Sequence, residues 1–273
     1  MRIALAQLLS DTDPAVNLSL IEDYTRRAAD AGARLVAFPE GMMCRFGVPL
    51  APVAEPLDGP WADEVRRIAD RAGVTVLAGM FTPVPDGRVT NTILAVGPGV
   101  DAHYDKIHMY DAFGFAESDA VAPGREPVVI TVDGVRVGLT LCYDIRFPAL
   151  YTELADRGAQ LITVHASWGA GPGKLEQWTL LARARALDST CFVAAVDQGY
   201  PGDEMANSSK APTGVGGSLV TSPLGEVVAS AGDDPQLVVA DIDIDRVAPV
   251  REMLGVLRNR SEFAQTDKAE SAR

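Results

Sequence analysis

The chain carries only 3 cysteines and 3 histidines among its 273 residues. Cys44, Cys142 and Cys191 are odd in number, far apart and preceded by no secretory leader, which argues against a disulfide framework and for free thiols. His103, His108 and His165 form no H-E-x-x-H and have no C-x-x-C companion, so no metal centre is expected. Basic residues are also scarce, 24 against 37 acidic ones, and a net charge of -13 should repel phosphate backbones and anionic membranes. No apolar run approaches the roughly 18 residues a membrane span requires. The opening M-R-I-A-L-A-Q-L-L-S is too short and too alternating for a signal segment, and Asp11 and Asp13 follow at once. These absences predict a soluble, cytoplasmic protein with neither nucleic acid nor membrane as a partner. Linkers, low-complexity blocks and charge runs are missing as well, which predicts one domain over residues 1–263 followed by a polar tail, 264–273.

What is present is core material: 47% of the residues are hydrophobic and 22% charged. Residues 3–7 alternate as a short strand, and 17–31 place Leu18, Ile21 and Ala28 at helical spacing before Gly32. An apolar strand, 34–39, follows. The same order of helix, glycine and apolar strand returns at W-A-D-E-V-R-R-I-A-D-R-A-G, and again at A-L-Y-T-E-L-A-D-R-G-A. All three units carry an Ala-Asp step shortly before the glycine, at Ala29-Asp30, Ala69-Asp70 and Ala155-Asp156, which suggests two related halves. Further strands are predicted at 91–96, 128–132, 135–141, 191–196 and across 217–228, with a hairpin turn at Asp133-Gly134 and a helix at 175–188. Hairpins mixed with helical crossovers point to an α/β protein with mixed sheets.

Two apparent motifs lose to simpler readings. G-V-G-G-S, 214–218, is followed by a strand-like rather than a helical pattern, so it reads as the entry to a hairpin and not as a phosphate loop. Asn207-Ser208-Ser209-Lys210 places its serines and lysine in one polar stretch and reads as a surface loop.

Cys142 is more informative. Val135, Val137, Leu139 and Leu141 alternate toward it, and Asp144, Arg146 and Pro148 then end the strand and open a helix. A side chain on such a strand-to-helix turn is held rigidly at a sheet edge, where a nucleophile belongs. Composition alone favours Cys142 as a small buried apolar residue, the reading kept for Cys191 within C-F-V-A-A-V. A nucleophilic thiol needs a base and a positive group to hold the oxyanion. Glu40, closing L-V-A-F-P-E, can serve as the base if burial raises its pKa, or it is a helix cap or a paired surface acid. Lys106, in Y-D-K-I-H-M-Y, is either a cation aimed into a cleft or a snorkelling side chain.

P-E at 39–40, D-K-I-H at 105–108, F-A-E-S at 115–118 and C-Y-D-I-R-F-P at 142–148 occur in this order, and together they resemble the nitrilase superfamily of carbon-nitrogen hydrolases. The resemblance implies a four-layer α-β-β-α sandwich with internal pseudo-symmetry, assembled as a homodimer or larger even-numbered homo-oligomer. It implies Glu40 as general base, Lys106 as oxyanion-stabilising cation, Cys142 as nucleophile and Glu117 as a second acid that positions substrate or water. The backbone N–H of Tyr143 would complete the oxyanion site, and no cofactor is implied.

C-Y-D-x-R-F-P is similar to the branch holding ω-amidases and deaminated glutathione amidases, which implies a primary, carboxylate-bearing linear amide as substrate. Gln177-Trp178-Thr179 and His165-Ala166-Ser167-Trp168 depart from that branch's usual residues. Both lie on elements expected to line the pocket, so Ser167 and Trp168 are candidate substrate-binding residues. Two alternatives stand beside this reading: hydrolysis of an N-carbamoyl compound, and a catalytically silent binding or redox protein on the same fold.

Overall fold

The computed structural model describes residues 1–261 other than Phe113 and Lys210, and the expected tail at 264–273 lies outside the described residues. The first half runs β1 (Arg2–Gln7), α1 (Pro14–Asp30), β2 (Leu35–Ala37), α2 (Pro60–Ala72), β3 (Thr75–Pro83), β4 (Val89–Gly97) and β5 (Val100–Asp105). A small ribbon, β6 (Asp111–Ala112) and β7 (Phe115–Ala116), leads into the second half. That half comprises β8 (Val129–Val132), β9 (Val135–Leu141), α3 (Pro148–Asp156), β10 (Leu161–Ala166), α4 (Lys174–Ser189), β11 (Phe192–Asp197), α5 (Asp203–Ser208), β12 (Leu219–Thr221) and β13 (Val227–Ser230). β14 (Gln236–Asp241) and α6 (Val247–Leu254) follow.

Local chemistry explains the boundaries. α1 begins at Pro14, ahead of the residue where its apolar periodicity starts, because Asp13 caps it through a 2.8 Å bond accepted from Ala15 N–H. α2 stops where Gly73, at φ 65°, adopts the left-handed conformation that frees its N–H for the carbonyls of Ala69 and Asp70. Asp133 and Gly134, both at positive φ, make the tight turn between β8 and β9.

Two six-stranded sheets result, ordered β14-β1-β2-β3-β4-β5 and β13-β12-β11-β10-β9-β8. In the first, β1, β2 and β3 are parallel while β4, β5 and β14 join antiparallel. In the second, β9, β10 and β11 are parallel while β12, β13 and β8 join antiparallel. The pattern β1-α1-β2-α2-β3-β4-β5 therefore repeats as β9-α3-β10-α4-β11-β12-β13, the pseudo-symmetry that the repeated helix-glycine-strand units predicted.

Side-chain alternation builds the layers. Ala4, Val36 and Val76 face outward against Ile21 of α1 and Trp61, Val65 and Ile68 of α2. Ile3, Leu5, Leu35 and Leu77 face inward and meet Val137, Leu139, Leu161 and Phe192 of the other sheet. Ile162, Val164 and Val193 turn outward again onto Leu154 of α3 and Trp178 of α4. The order is α-β-β-α, as expected.

One buried polar bond crosses this sandwich between β10 and the end of β2. His165 is fully buried, with Nδ1 2.6 Å from the Phe38 carbonyl and Nε2 3.0 Å from Thr163 Oγ1. Burial holds its pKa down at about 4, from 6.5. As pH falls from about 6.5 toward 4 the unfolded chain gains this proton and the native protein does not, so stability should drop by about 3 kcal/mol over that window from this group. Urea unfolding of the wild type and of His165→Gln at several pH values checks this: the variant should show the shallower acid slope, and equal slopes would refute the assignment.

Candidate active site

Five strand ends converge on one place. Glu40 follows β2, Lys106 follows β5, Cys142 follows β9, Ser167 and Trp168 follow β10, and Asp197 ends β11. The structure brings Glu40, Lys106, Glu117 and Cys142 together and buries the three charged groups.

Lys106 Nζ donates to both oxygens of Glu117 at 2.8 Å and to Glu40 Oε1 at 3.3 Å. Asn91, on β4, anchors two of these groups: its carbonyl accepts Lys106 N–H at 2.9 Å, and its side-chain amide donates to Glu40 Oε1 at 2.7 Å. Glu40 Oε2 accepts Ser167 N–H at 3.0 Å, and Glu117 Oε2 accepts Tyr110 N–H at 2.7 Å. A short 3-10 turn, Glu117–Asp119, carries the second acid.

Burial, opposed by Lys106 and reinforced by Glu117, raises the pKa of Glu40 above the ordinary carboxylate range. Burial works against the Lys106 ammonium, but the two carboxylates outweigh it and hold the lysine charged. Burial and the charge of Glu40 push the Cys142 thiol well above the usual cysteine range. The thiol therefore carries its proton at rest, beside a carboxylate poised to receive it.

Cys142 opens the 3-10 turn Cys142–Arg146 at φ 43°, a left-handed backbone that few residues other than glycine adopt. The residue as a whole is partly exposed, and its thiol lies 3.9 Å from the Ser167 carbonyl. Tyr143 N–H stands ahead of the first internal hydrogen bond of the turn, which leaves it available to a ligand oxygen.

Asp144 holds this conformation in place. Fully buried, its Oδ2 accepts Leu141 N–H at 2.9 Å and Tyr104 O–H at 2.6 Å. Its Oδ1 accepts His108 N–H at 3.0 Å and lies 2.7 Å from His108 Nδ1. Tyr104 and His108 flank Lys106 in sequence, so one carboxylate clamps the cation-bearing segment to the turn that carries Cys142. His108 also stacks on Phe147 at 3.7 Å, and Tyr143 packs edge-on between Phe147 and Tyr110.

Tyr143, Ser167 and Trp168, the candidate substrate contacts, border this cluster. Ser167 faces it with its backbone, because its hydroxyl donates to the Pro212 carbonyl at 3.0 Å. Trp168 is buried, its indole N–H donating to the Lys174 carbonyl at 3.2 Å and its ring 5.4 Å from that of Trp178. Tyr104 is fully buried, and Phe113 lies outside the described residues.

Asn91, Asp144 and Asp197 are polar groups of the site that sequence reasoning passed over. Asp144 stood inside C-Y-D but was read only as a strand breaker. Asn91, between Thr90 and Thr92, and Asp197, beside Gln198, lie at the ends of apolar runs, where a polar residue next to other polar residues gives no distinguishing signal.

With this geometry in view, comparison with known proteins is direct. The carbon-nitrogen hydrolase family pattern matches residues 2–252. A protein of Mycobacterium tuberculosis described only as a hydrolase is 70% identical over 99% of both chains. The deaminated glutathione amidase of Escherichia coli O157:H7 is 33% identical over 95% of this chain and 97% of its own. An amidase from Nesterenkonia sp. AN1, solved as a mutant with the acetamide moiety of fluoroacetamide on its active-site cysteine, is 27% identical, with a TM-score of 0.78 over 95% and 94% of the two chains. The chain belongs to the carbon-nitrogen hydrolase family. It is a hydrolase of non-peptide carbon-nitrogen bonds.

Tyr104→Phe removes one donor to Asp144 and leaves Glu40, Lys106, Glu117 and Cys142 in place. Its kcat is expected to fall about three- to tenfold with KM nearly constant, the effect of one lost hydrogen bond of about 1 kcal/mol. Steady-state kinetics on any accepted amide reads this out, and an unchanged kcat means the clamp holds without it.

Proposed function

We propose that the protein is a cysteine amidase converting a linear, carboxylate-bearing primary amide to carboxylate and ammonia. Deaminated glutathione and the ω-amides of keto dicarboxylates are the leading candidates. The observation that carries this reading is the buried Glu40–Lys106–Glu117 cluster beside a thiol on a left-handed turn.

Glu40 takes the Cys142 proton, and the thiolate attacks the amide carbon. The Lys106 ammonium and Tyr143 N–H hold the oxyanion. Protonated Glu40 returns its proton to the nitrogen, and ammonia leaves behind a thioester. Water deprotonated by Glu40 then opens the thioester, releasing the acid and regenerating the thiol. Glu117 holds Lys106 in place and positions the amide nitrogen or the water. The sequence of steps uses no metal or cofactor, and we place the enzyme in the cytoplasm as a homodimer or larger even-numbered homo-oligomer.

Arg146 supports the carboxylate. It lies on the nucleophile turn, four residues past the thiol, and its guanidinium sits 5.0 Å from the Trp168 ring. Among the described residues it donates to a neutral acceptor, Gln177 Oε1 at 3.0 Å, and forms no ion pair, which leaves the guanidinium open to a substrate anion.

Incubation with a panel of such amides should release ammonia, and the mass of the acyl adduct trapped on Cys142 should name the acyl group. Release of carbon dioxide together with ammonia would transfer the assignment to an N-carbamoyl substrate. Cys142→Ala, folded, should lose all turnover, and retained turnover would rule out the nucleophile.

The base works only when ionised, so kcat/KM should rise with pH through a Glu40 pKa lying above the usual carboxylate range. Glu40→Gln should remove that limb and cost at least about a hundredfold in kcat. Arg146→Gln should raise KM for a carboxylate-bearing amide about tenfold or more while sparing a neutral amide such as propionamide. Equal losses on both would detach Arg146 from carboxylate recognition.

A further inference from the structure

Asp197 is a buried carboxylate that the steps above leave unused. It has no solvent exposure, and its two oxygens accept from backbone alone: Oδ1 from Trp168 N–H and Oδ2 from Val215 N–H, each at 2.8 Å. Burial pushes its pKa well above the ordinary carboxylate range, against the pull of its backbone hydrogen bonds. Placing such a group in the interior is costly, so what its bonds hold matters.

They hold the strand end that faces the reaction. Trp168 N–H belongs to the peptide unit whose carbonyl is that of Ser167, and this carbonyl lies 3.9 Å from the Cys142 thiol. The preceding N–H, that of Ser167, donates to Glu40 Oε2 at 3.0 Å. Ser167 therefore presents its N–H to the base and its C=O to the nucleophile, and Asp197 grips the far side of the same peptide.

The second bond secures the wall behind it. Gly214 N–H donates to the Trp168 carbonyl at 3.0 Å, and the Ser167 hydroxyl donates to Pro212. Gly214 is at φ 101°, and a Cβ there would lie 2.5 Å from Gln198 Cβ, so only glycine lets this segment lie so close to β11. Val215 N–H, the next donor along, reaches Asp197.

We propose that Asp197 is a positioning residue: by locking the Ser167–Trp168 peptide against the 212–215 segment, it fixes the geometry between the Glu40 base and the Cys142 thiol. The proposal rests on the roles given above to those two residues.

Asp197→Asn keeps the shape but has one acceptor oxygen, so it leaves either Trp168 N–H or Val215 N–H facing an amide nitrogen. Four quantities test it: the rate of Cys142 alkylation by iodoacetamide, followed by peptide mass mapping to separate it from the buried Cys44 and Cys191; kcat; KM; and the melting temperature. Well below the melting temperature, alkylation and kcat should both fall about tenfold with KM within about twofold. A lowered melting temperature with both rates unchanged would mean that Asp197 only stabilises the fold, and the proposal fails.

If Asp197→Asn does not fold, Ser218→Ala carries the test. It removes the hydroxyl that accepts Asp197 N–H at 3.0 Å and leaves the carboxylate in place. Both rates should then fall about two- to threefold, and unchanged rates overturn the proposal. Alkylation needs no substrate, so a wild type that alkylates at Cys142 but releases no ammonia refutes the amidase reading while leaving the positioning test intact.

Discussion

A lysine ammonium with almost no solvent contact organises this site. An isolated buried charge of that kind is strongly unfavourable, and Lys106 is tolerable only because two carboxylates surround it. That solution creates a second problem, since two acids and one base leave a negative excess in the interior. Neutral donors absorb it: the Asn91 amide, Ser167 N–H and Tyr110 N–H each terminate on a carboxylate oxygen. The raised proton affinity of Glu40 follows first from its burial and then from the neighbouring charge of Glu117, so burying one cation also places a carboxylate of high proton affinity beside the thiol.

The arrangement is rigid because it is built at strand ends. Glu40, Asn91 and Lys106 come from the first half, Cys142, Asp144, Ser167 and Asp197 from the second, and Glu117 from the connection between them. The repeated architecture thus carries different side chains at equivalent positions, and the site exists only where the two halves meet. Relatives whose names describe amidases share this architecture over nearly their whole length.

Much of this was legible in the sequence. Three helix-glycine-strand units announced the repeat because their caps need glycine, which is visible in a single letter. The fourth equivalent unit carries no such mark: α4 ends at Thr190, itself left-handed at φ 55°, so its position in the repeat emerged only from strand pairing. The short edge elements, β5, β14 and α6, lack strong periodicity and were passed over. Glu40, Lys106, Glu117 and Cys142 were readable because their chemistry is specific and their order is shared with a known family. Asp144 and Asp197 were not, because a carboxylate that binds backbone N–H groups leaves no pattern in sequence; its partners are named only by the fold. Ser167 shows the complementary limit, since its side chain drew notice while its backbone does the facing.

The inner layer of the sandwich is mostly Ala, Val, Leu and Ile, and such contacts attract without direction. They hold the two sheets together but do little to stop one from sliding over the other. Buried directional bonds cross the seam at the end that carries the thiol, His165 to Phe38, Glu40 N–H to Ala166, Tyr104 to Asp144 and Gly199 N–H to Leu8, while an exposed ion pair, Arg34 with Asp133, joins the sheets at the opposite end. The sheets are keyed against each other by the same few bonds that set Glu40 against Cys142. A slide of one sheet over the other would therefore change the spacing of those two side chains as well as the packing of the apolar layer.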